Sequence, residues 1–140
     1  MIKNATMKPK GLFFILLLSL AVGGCKKDKK ENVVFDGNYS GWFFLSNKSG
    51  VALKDSVVIL MQSGQFSSLT SSSTLTTGKG TYLINGGTAT FTNMEAFPDN
   101  LSVVTTAVLN GSYTYAIKGD SLLLIKTDAS QNIYTYKLAK

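Results

Sequence analysis

The residue types that carry out most enzymatic chemistry are scarce in this chain of 140 residues. It has no His and one Cys. A Ser–His–Asp triad, a Cys–His pair or a His-based metal site therefore cannot be built from this chain alone. The single Cys also excludes a disulfide within one chain.

Carboxylates are the remaining candidates for catalysis. Glu95 and Asp99 lie close together in a loop that also holds the aromatic residue Phe97. Glycoside hydrolysis needs two carboxyl groups about 5–9.5 Å apart, but a solvated loop is the simpler interpretation of this pair, and it lacks the dense acids of a calcium loop. We therefore predict no catalytic residue, no metal ligand and no cofactor, and we do not expect an enzyme.

The positive charge is concentrated at the N-terminus. The formal net charge is +6, yet the first 31 residues hold seven of the 14 Lys and two of the eight acids. The remainder of the chain is therefore nearly neutral. Nucleic-acid binding needs basic residues clustered on a folded face, so we predict no nucleic-acid partner.

The first 25 residues have the parts of a secretory signal peptide. Residues 1–10 are basic, residues 11–22 are almost wholly apolar, and small residues then lead to Cys25. A membrane-spanning helix needs about 20 apolar residues, so a short signal-peptide helix fits this run better. A second start at Met7 would leave a compact basic segment before the apolar run.

The four residues Val22-Gly23-Gly24-Cys25, placed after the apolar run, resemble the lipobox of bacterial lipoproteins. The resemblance implies that residues 1–24 are removed and that Cys25 carries acyl chains such as palmitate. Two or more acyl chains anchor a protein stably, so the implied partner is a membrane and the implied location is the outer membrane, on its periplasmic or cell-surface side. The alternative is a secreted protein in which the Cys stands here by chance.

Residues 25–32 form the predicted junction between membrane and domain. Lys26–Asn32 has no apolar residue and six charged ones, which is typical of a flexible tether. Contact of its lysines with anionic head groups is the alternative role. Lys26 and Lys27 stand where surface-export signals of Bacteroidetes carry acids, which favours the periplasmic side.

From Val33 to Lys140 the pattern predicts one β-domain. Short apolar or alternating runs recur between Gly, Asn, Asp and Ser residues, and such runs are typical of strands. Their spacing leaves no room for crossover helices, so we predict an all-β antiparallel meander of about 8–9 strands closed into a barrel, or alternatively a two-sheet β-sandwich. The candidate strands are Tyr39–Leu45, Ser56–Met61, Gln65–Thr70, Thr81–Ile84, Ala89–Asn93, Ser102–Leu109, Ser112–Lys118, Ser121–Thr127 and Ile133–Leu138.

Turn residues support the meander. Gly119-Asp120 lies between two alternating runs, and Gly in the first position is the chemistry of a type II′ hairpin. Asn85-Gly86-Gly87 supplies residues that tolerate positive φ between two further runs.

A lipobox, a tether and an opening strand with Gly37-Asn38-Tyr39 and Gly41-Trp42 resemble the small lipocalin-like (calycin-like) lipoproteins common in Bacteroidetes. Gly80-Thr81-Tyr82 and Leu109–Tyr113 repeat the same motif. The resemblance covers about residues 35–140. It implies an up-and-down barrel that can enclose an apolar cavity.

Aromatic residues are the candidate ligand-binding set. The tyrosines alternate with polar residues, and their hydroxyls need hydrogen-bond partners if they are buried, which suits a barrel mouth. Packing in the core is the alternative role. The candidate residues are Trp42, Tyr113, Tyr115, Tyr134 and Tyr136.

Two non-catalytic functions stay open. A barrel with a cavity of several hundred Å³ would bind a small apolar or amphipathic ligand. A filled barrel would be a structural or interaction module that docks an envelope protein through an exposed apolar patch. Val57–Met61 and Leu122–Ile125, which are apolar on both faces, are the candidates for that patch.

Overall fold

The structure, a computed structural model, describes residues 33–69, 76–97 and 105–140. The predicted signal peptide, Cys25 and the tether lie outside the described residues. Within the described ranges, no helix is both long and apolar enough to cross a membrane.

Eight strands form a closed antiparallel barrel, which confirms the predicted fold class. Consecutive strands pair throughout, and the last strand returns to pair with the first over Ser40–Ser46. This closure excludes the alternative of two separate sheets. The strands are β1 (Gly37–Asn47), β2 (Gly50–Gln62), β3 (Gln65–Ser68), β4 (Lys79–Asn85), β5 (Thr88–Asn93), β6 (Gly111–Lys118), β7 (Ser121–Thr127) and β8 (Ile133–Ala139).

The predicted strand Ser102–Leu109 is wrong in its described part. Thr105–Ala107 is a single turn of 3₁₀ helix, and the backbone N–H of Leu109 donates to the carbonyl of Thr77 at 3.0 Å. Ala107 and Leu109 are fully buried. These apolar residues therefore cover one end of the barrel, which explains why their pattern resembled that of a buried strand.

Strand β2 begins at Gly50, six residues before the predicted start at Ser56. Residues Gly50–Leu53 continue the pairing with β1, with a register shift between Leu45 and Ser46. The bulge at this point absorbs one extra residue and bends the hairpin. Exposed residues at 50–52 and the charged pair Lys54-Asp55 concealed the strand pattern in this part of β2.

The hairpin at Gly119-Asp120 has the predicted chemistry. Gly119 has a φ of +57°, whereas Asp120 is not among the residues with positive φ. This combination fits a type II′ turn, in which only the first central residue needs the left-handed region. The turn therefore fixes the register between β6 and β7, where Lys118 pairs with Ser121.

The core is the interior of the barrel, because alternate side chains of every strand point inward. These positions carry large apolar and aromatic residues that pack against one another. The buried strand residues are Tyr39, Phe43, Val57, Ile59, Met61, Phe66, Tyr82, Ala89, Phe91, Tyr113, Leu122, Leu124, Tyr136 and Leu138.

Residues outside the strands close both ends of the barrel. At the entry end, defined by the start of β1 and the β2–β3, β4–β5 and β6–β7 hairpins, Phe35 is fully buried. Its ring stacks on Tyr82 at 5.5 Å and meets Tyr115 edge-on at 5.1 Å. The opposite end, which holds the β1–β2, β3–β4, β5–β6 and β7–β8 connections, is called the loop end. There Ala107 and Leu109 are buried against the core.

Candidate binding groove on the outer face of the barrel

Two of the predicted ligand-binding residues, Tyr113 and Tyr136, are core residues. Both are fully buried, and their rings meet edge-on at 5.9 Å. Tyr113 also meets Phe91 at 5.5 Å, and Tyr136 packs on Phe43 at 4.9 Å. Side chains thus occupy the space between these tyrosines.

Tyr115 and Tyr134 lie at opposite ends of the barrel. The Tyr115 hydroxyl donates to the carbonyl of Gly86 at 2.8 Å at the entry end. The Tyr134 hydroxyl donates to Asp128 Oδ2 at 3.0 Å at the loop end. Each therefore ties a strand to a nearby turn, and the two do not share a site.

A lysine completes the packing at the loop end. Lys126 Nζ lies 4.6 Å from the ring centre of Tyr134 and 5.0 Å from that of Tyr113, and it donates to the carbonyl of Asn110 at 2.9 Å. Partial burial lowers the pKa of Lys126, while Asp128 acts in the opposite direction. Cation–π contacts and one hydrogen bond offset part of the cost of desolvating the ammonium.

The two buried tyrosines differ in hydrogen bonding. The Tyr136 hydroxyl donates to the carbonyl of Ala107. The Tyr113 hydroxyl makes no hydrogen bond of normal geometry among the described residues, although the Asn110 backbone and the Tyr136 hydroxyl are close enough to act against the rise in its pKa. Burial raises the pKa of Tyr113 from 10.0 to about 12. Burial, followed by the neighbouring Tyr113, raises the pKa of Tyr136 well above 10.0.

These contacts predict opposite effects for two matched substitutions. Tyr113→Phe should raise the free energy of unfolding by about 1 kcal/mol, because it removes a buried hydroxyl without a partner. Tyr136→Phe should lower it by about 1 kcal/mol, because it leaves the Ala107 carbonyl unpaired. Urea denaturation at pH 7 measures both, and equal losses in the two variants would show that the Tyr113 hydroxyl has a partner.

The same tyrosines predict alkaline destabilisation. The unfolded chain releases a tyrosine proton near pH 10, whereas folded Tyr113 keeps it to about pH 12. Between these values the unfolded state binds fewer protons, so the free energy of unfolding falls as pH rises. For Tyr113 the loss is roughly 2.7 kcal/mol, and Tyr113→Phe should remove that part of the pH dependence in urea denaturation between pH 9 and about pH 12.

Trp42 faces away from the tyrosines. Its neighbour Phe43 is fully buried in the barrel, and strand alternation therefore sends the Trp42 side chain outward, where it is 47 % exposed. The structure thus separates the five candidate residues into a buried pair, two end positions and one residue on the outer face.

Strand register builds a groove beside Trp42. Outward-facing residues of β1, β8, β7 and β6 stand directly opposite one another, in two adjacent rows across the four strands. The first row, nearer the entry end, is Ser40, Ala139, Ser121 and Lys118. The second row is Trp42, Lys137, Leu123 and Ala116.

Side-chain size gives the groove its shape. Ser40, Ala139, Ser121 and Ala116 are small and form the floor together with Leu123, whereas the longer side chains of Trp42, Lys118 and Lys137 extend further from the sheet. The resulting volume is about 540 Å³, which lies within the usual range for small-molecule sites of roughly 300–1,000 Å³. Carbon atoms dominate its lining, so it suits an apolar ligand.

Lysine side chains pack on aromatic rings along the β1 edge of the groove. Lys54 Nζ lies 4.2 Å from the ring centre of Trp42 and 5.8 Å from that of Phe44. Lys137 Nζ lies 5.3 Å from the Phe44 ring. Such cation–π contacts are worth about 0.5–1 kcal/mol each at exposed sites, and they hold the indole at the edge of the groove.

Other candidate sites are less developed. A depression of about 220 Å³ lies beside the β2–β3 hairpin, with Gln62, Ser63 and Gln65 among its lining residues. Glu95 is half-buried, and its candidate partner Asp99 lies outside the described residues. In the described part of the chain, no three His, Cys, Asp or Glu side chains are grouped as metal ligands.

Sequence reasoning singled out Trp42 and the apolar run that contains Leu123, and it missed the other residues of the groove. The small residues carry no local signal, because Ser and Ala are common on any exposed strand face. Only the pairing of four strands sets Ser40 opposite Ala139 and brings Ala116, on the far strand, onto the same surface. The predicted apolar patch Leu122–Ile125 supplies one groove-floor side chain, Leu123.

The fold and the groove define an eight-stranded up-and-down β-barrel with a filled interior and a candidate binding surface outside. Comparison of the chain with protein-family models, curated proteins and solved structures finds no match.

Proposed function

We propose that this chain is a lipid-anchored, non-catalytic binding module of the bacterial cell envelope, and that it binds a small amphipathic ligand in the groove on its outer face. The anchor is Cys25, and its membrane is the outer membrane, on its periplasmic or cell-surface side. The observation that carries the ligand site is the combination of a filled barrel interior with an apolar groove of about 540 Å³ on the outside.

The lipid anchor rests on the sequence from Met1 to Cys25. A basic start, a short apolar run and a small-residue exit before the single Cys are the features of a lipoprotein signal. The barrel needs no Cys for its packing, since none of its buried residues is Cys. This leaves Cys25 available for lipidation.

Cys25→Ala should abolish incorporation of radiolabelled palmitate and remove the protein from the outer-membrane fraction. The reason is that the thiol is the acceptor of the acyl chains, which supply the membrane affinity. Leu83→Lys, an exposed substitution on β4, is the control and should keep both label and location. Full retention of label by Cys25→Ala contradicts the proposed anchor.

The ligand site can be tested through the protein's own fluorescence. Trp42 is the single Trp of the chain and lies on the groove, so its emission reports on this surface alone. Decanol, added to the purified protein, should shift Trp42 emission to shorter wavelength in a saturable titration, because the alkyl chain displaces water from the indole.

Leu123→Lys should weaken that binding at least about tenfold, because it places a charge on the apolar floor. Leu83→Lys adds the same charge on β4, where the side chain is 71 % exposed, and should leave the titration unchanged. An unchanged titration in Leu123→Lys, or no saturable signal in the wild type, counts against the groove as a ligand site.

A second candidate function is docking of an envelope protein. A filled barrel was the prediction for a module that docks an envelope protein. It therefore favours docking of a protein over binding of a ligand inside the barrel. A standard protein interface buries about 800 Å² on each partner, however, and would extend well beyond the two rows of the groove. The groove's size therefore favours the small ligand.

A further inference from the structure

The charges around the groove indicate the chemistry of its ligand, if the proposed function holds. Two lysines, Lys118 and Lys137, are among the lining residues, and no Asp or Glu is. We propose that the groove binds a single-chain amphiphile with an anionic head group, its alkyl chain on the floor and its head group at the lysines.

The two rows place one small polar side chain and one apolar side chain between the two lysines. Lys118 ends the first row on β6, and Lys137 stands in the second row on β8. Ser121 and Leu123 of β7 lie between them. Four strands span about 14 Å at the usual spacing of 4.7–4.9 Å, which accommodates one extended alkyl chain lying across the strands.

Few acids compete for these lysines on the outer face. Asp55 pairs with Phe43, whose side chain is inside the barrel, so Asp55 is on the inner face. Asp120 is the acid nearest in sequence and lies in the β6–β7 turn. Lys54 adds a positive charge beside Trp42, which offsets the negative charge of Asp120. The surroundings of the groove are therefore positive.

Polar groups at the entry end suit a head group. Ser40 and Ser121 belong to the first row together with Lys118, and their hydroxyls can donate hydrogen bonds to a carboxylate or phosphate. Trp42 and Leu123 belong to the second row, where an alkyl chain finds apolar contacts. The groove is thus polar along one row and largely apolar along the other.

Trp42 emission distinguishes head groups on one chain length. Decanoate should bind about fivefold or more tightly than decanol, since each exposed ion pair contributes up to about 1 kcal/mol, and decylammonium should bind more weakly than decanol. Added salt should reduce the preference for decanoate because it screens the charges. Monodecyl phosphate is the second anionic probe, and its affinity is compared with that of decanoate. Tighter binding of either anion than of decanol supports the proposal. The anion that binds more tightly indicates whether the natural head group is a lipid-type phosphate or the carboxylate of a free fatty acid.

The double substitution Lys118→Met and Lys137→Met should remove the preference for anions and keep the affinity for decanol, because Met retains an apolar stem of similar length. Lys48→Met with Lys79→Met is the matched control, since neither residue lines the groove. Equal affinities for decanoate and decanol in the wild type overturn the anionic head group but leave the proposed function intact. No binding of any probe overturns both.

Discussion

Phe91→Ala is expected to lower the free energy of unfolding by about 3–5 kcal/mol, the usual cost of deleting a large buried ring. Phe91 is 1 % exposed and is the point where the interior rings converge. It meets Phe66 at 5.4 Å, Tyr82 at 5.8 Å and Tyr113 at 5.5 Å. The loss therefore combines apolar burial with three ring contacts from β3, β4 and β6.

Urea denaturation followed by far-ultraviolet circular dichroism measures this loss. Leu83→Ala is the control, because Leu83 is 71 % exposed on β4 and its truncation should change stability by less than about 0.5 kcal/mol. If Phe91→Ala does not fold, Phe91→Leu should give a smaller, measurable loss. A cost below about 1 kcal/mol for Phe91→Ala would mean that the interior is loosely packed.

Gly80→Ala is expected to cost about 3 kcal/mol, at the upper end for over-packing. A Cβ on Gly80 would overlap the carbonyl oxygen of Thr92 and would lie 3.2 Å from Asn93 Cα. Both obstacles are backbone of the paired strand β5, which cannot move without breaking the pairing. Gly41 has the same role on β1, where a Cβ would overlap the carbonyl of Lys137 on β8.

Gly87→Ala is the matched control for this prediction. A Cβ there meets nothing within 4 Å, and Gly87 is not among the glycines with positive φ. Its substitution should leave stability unchanged or raise it by about 0.4–1 kcal/mol through the unfolded state. Thermal unfolding of the two variants tests the contrast, and a stable Gly80→Ala protein would show that β4 and β5 can separate locally.

These two glycines explain part of the resemblance noted in the sequence. Gly41-Trp42 and Gly80-Thr81-Tyr82 repeat a Gly followed closely by an aromatic residue. In each case the Gly allows two strands to approach, and the aromatic residue follows on the outer face (Trp42) or in the core (Tyr82). The Gly of the motif thus has a structural cause in the close approach of the paired strand's backbone.

Much of the fold was readable from short segments. Alternation in Ser112–Lys118 and the apolar run in Ser121–Thr127, with Gly119 between them, predicted a hairpin that the structure contains. Strand period and turn chemistry depend on adjacent residues, so one sequence reveals them. The Ser102–Leu109 prediction failed because a buried 3₁₀ turn and a buried strand have similar apolar patterns.

The sequence by itself determined that the chain has no His and a single Cys. It also predicted a lipoprotein-like start and the antiparallel β class, of which the structure confirms the β class. Only the tertiary structure decided that β1 pairs with β8, that Phe35 and Leu109 fill the ends, and that Trp42 lies outside while Tyr113 and Tyr136 lie inside. The groove is the clearest case. Its rows join residues up to about a hundred positions apart, such as Ser40 and Ala139. Alternation specifies which residues share a face, but the long-range register that brings faces together depends on closure of the whole barrel.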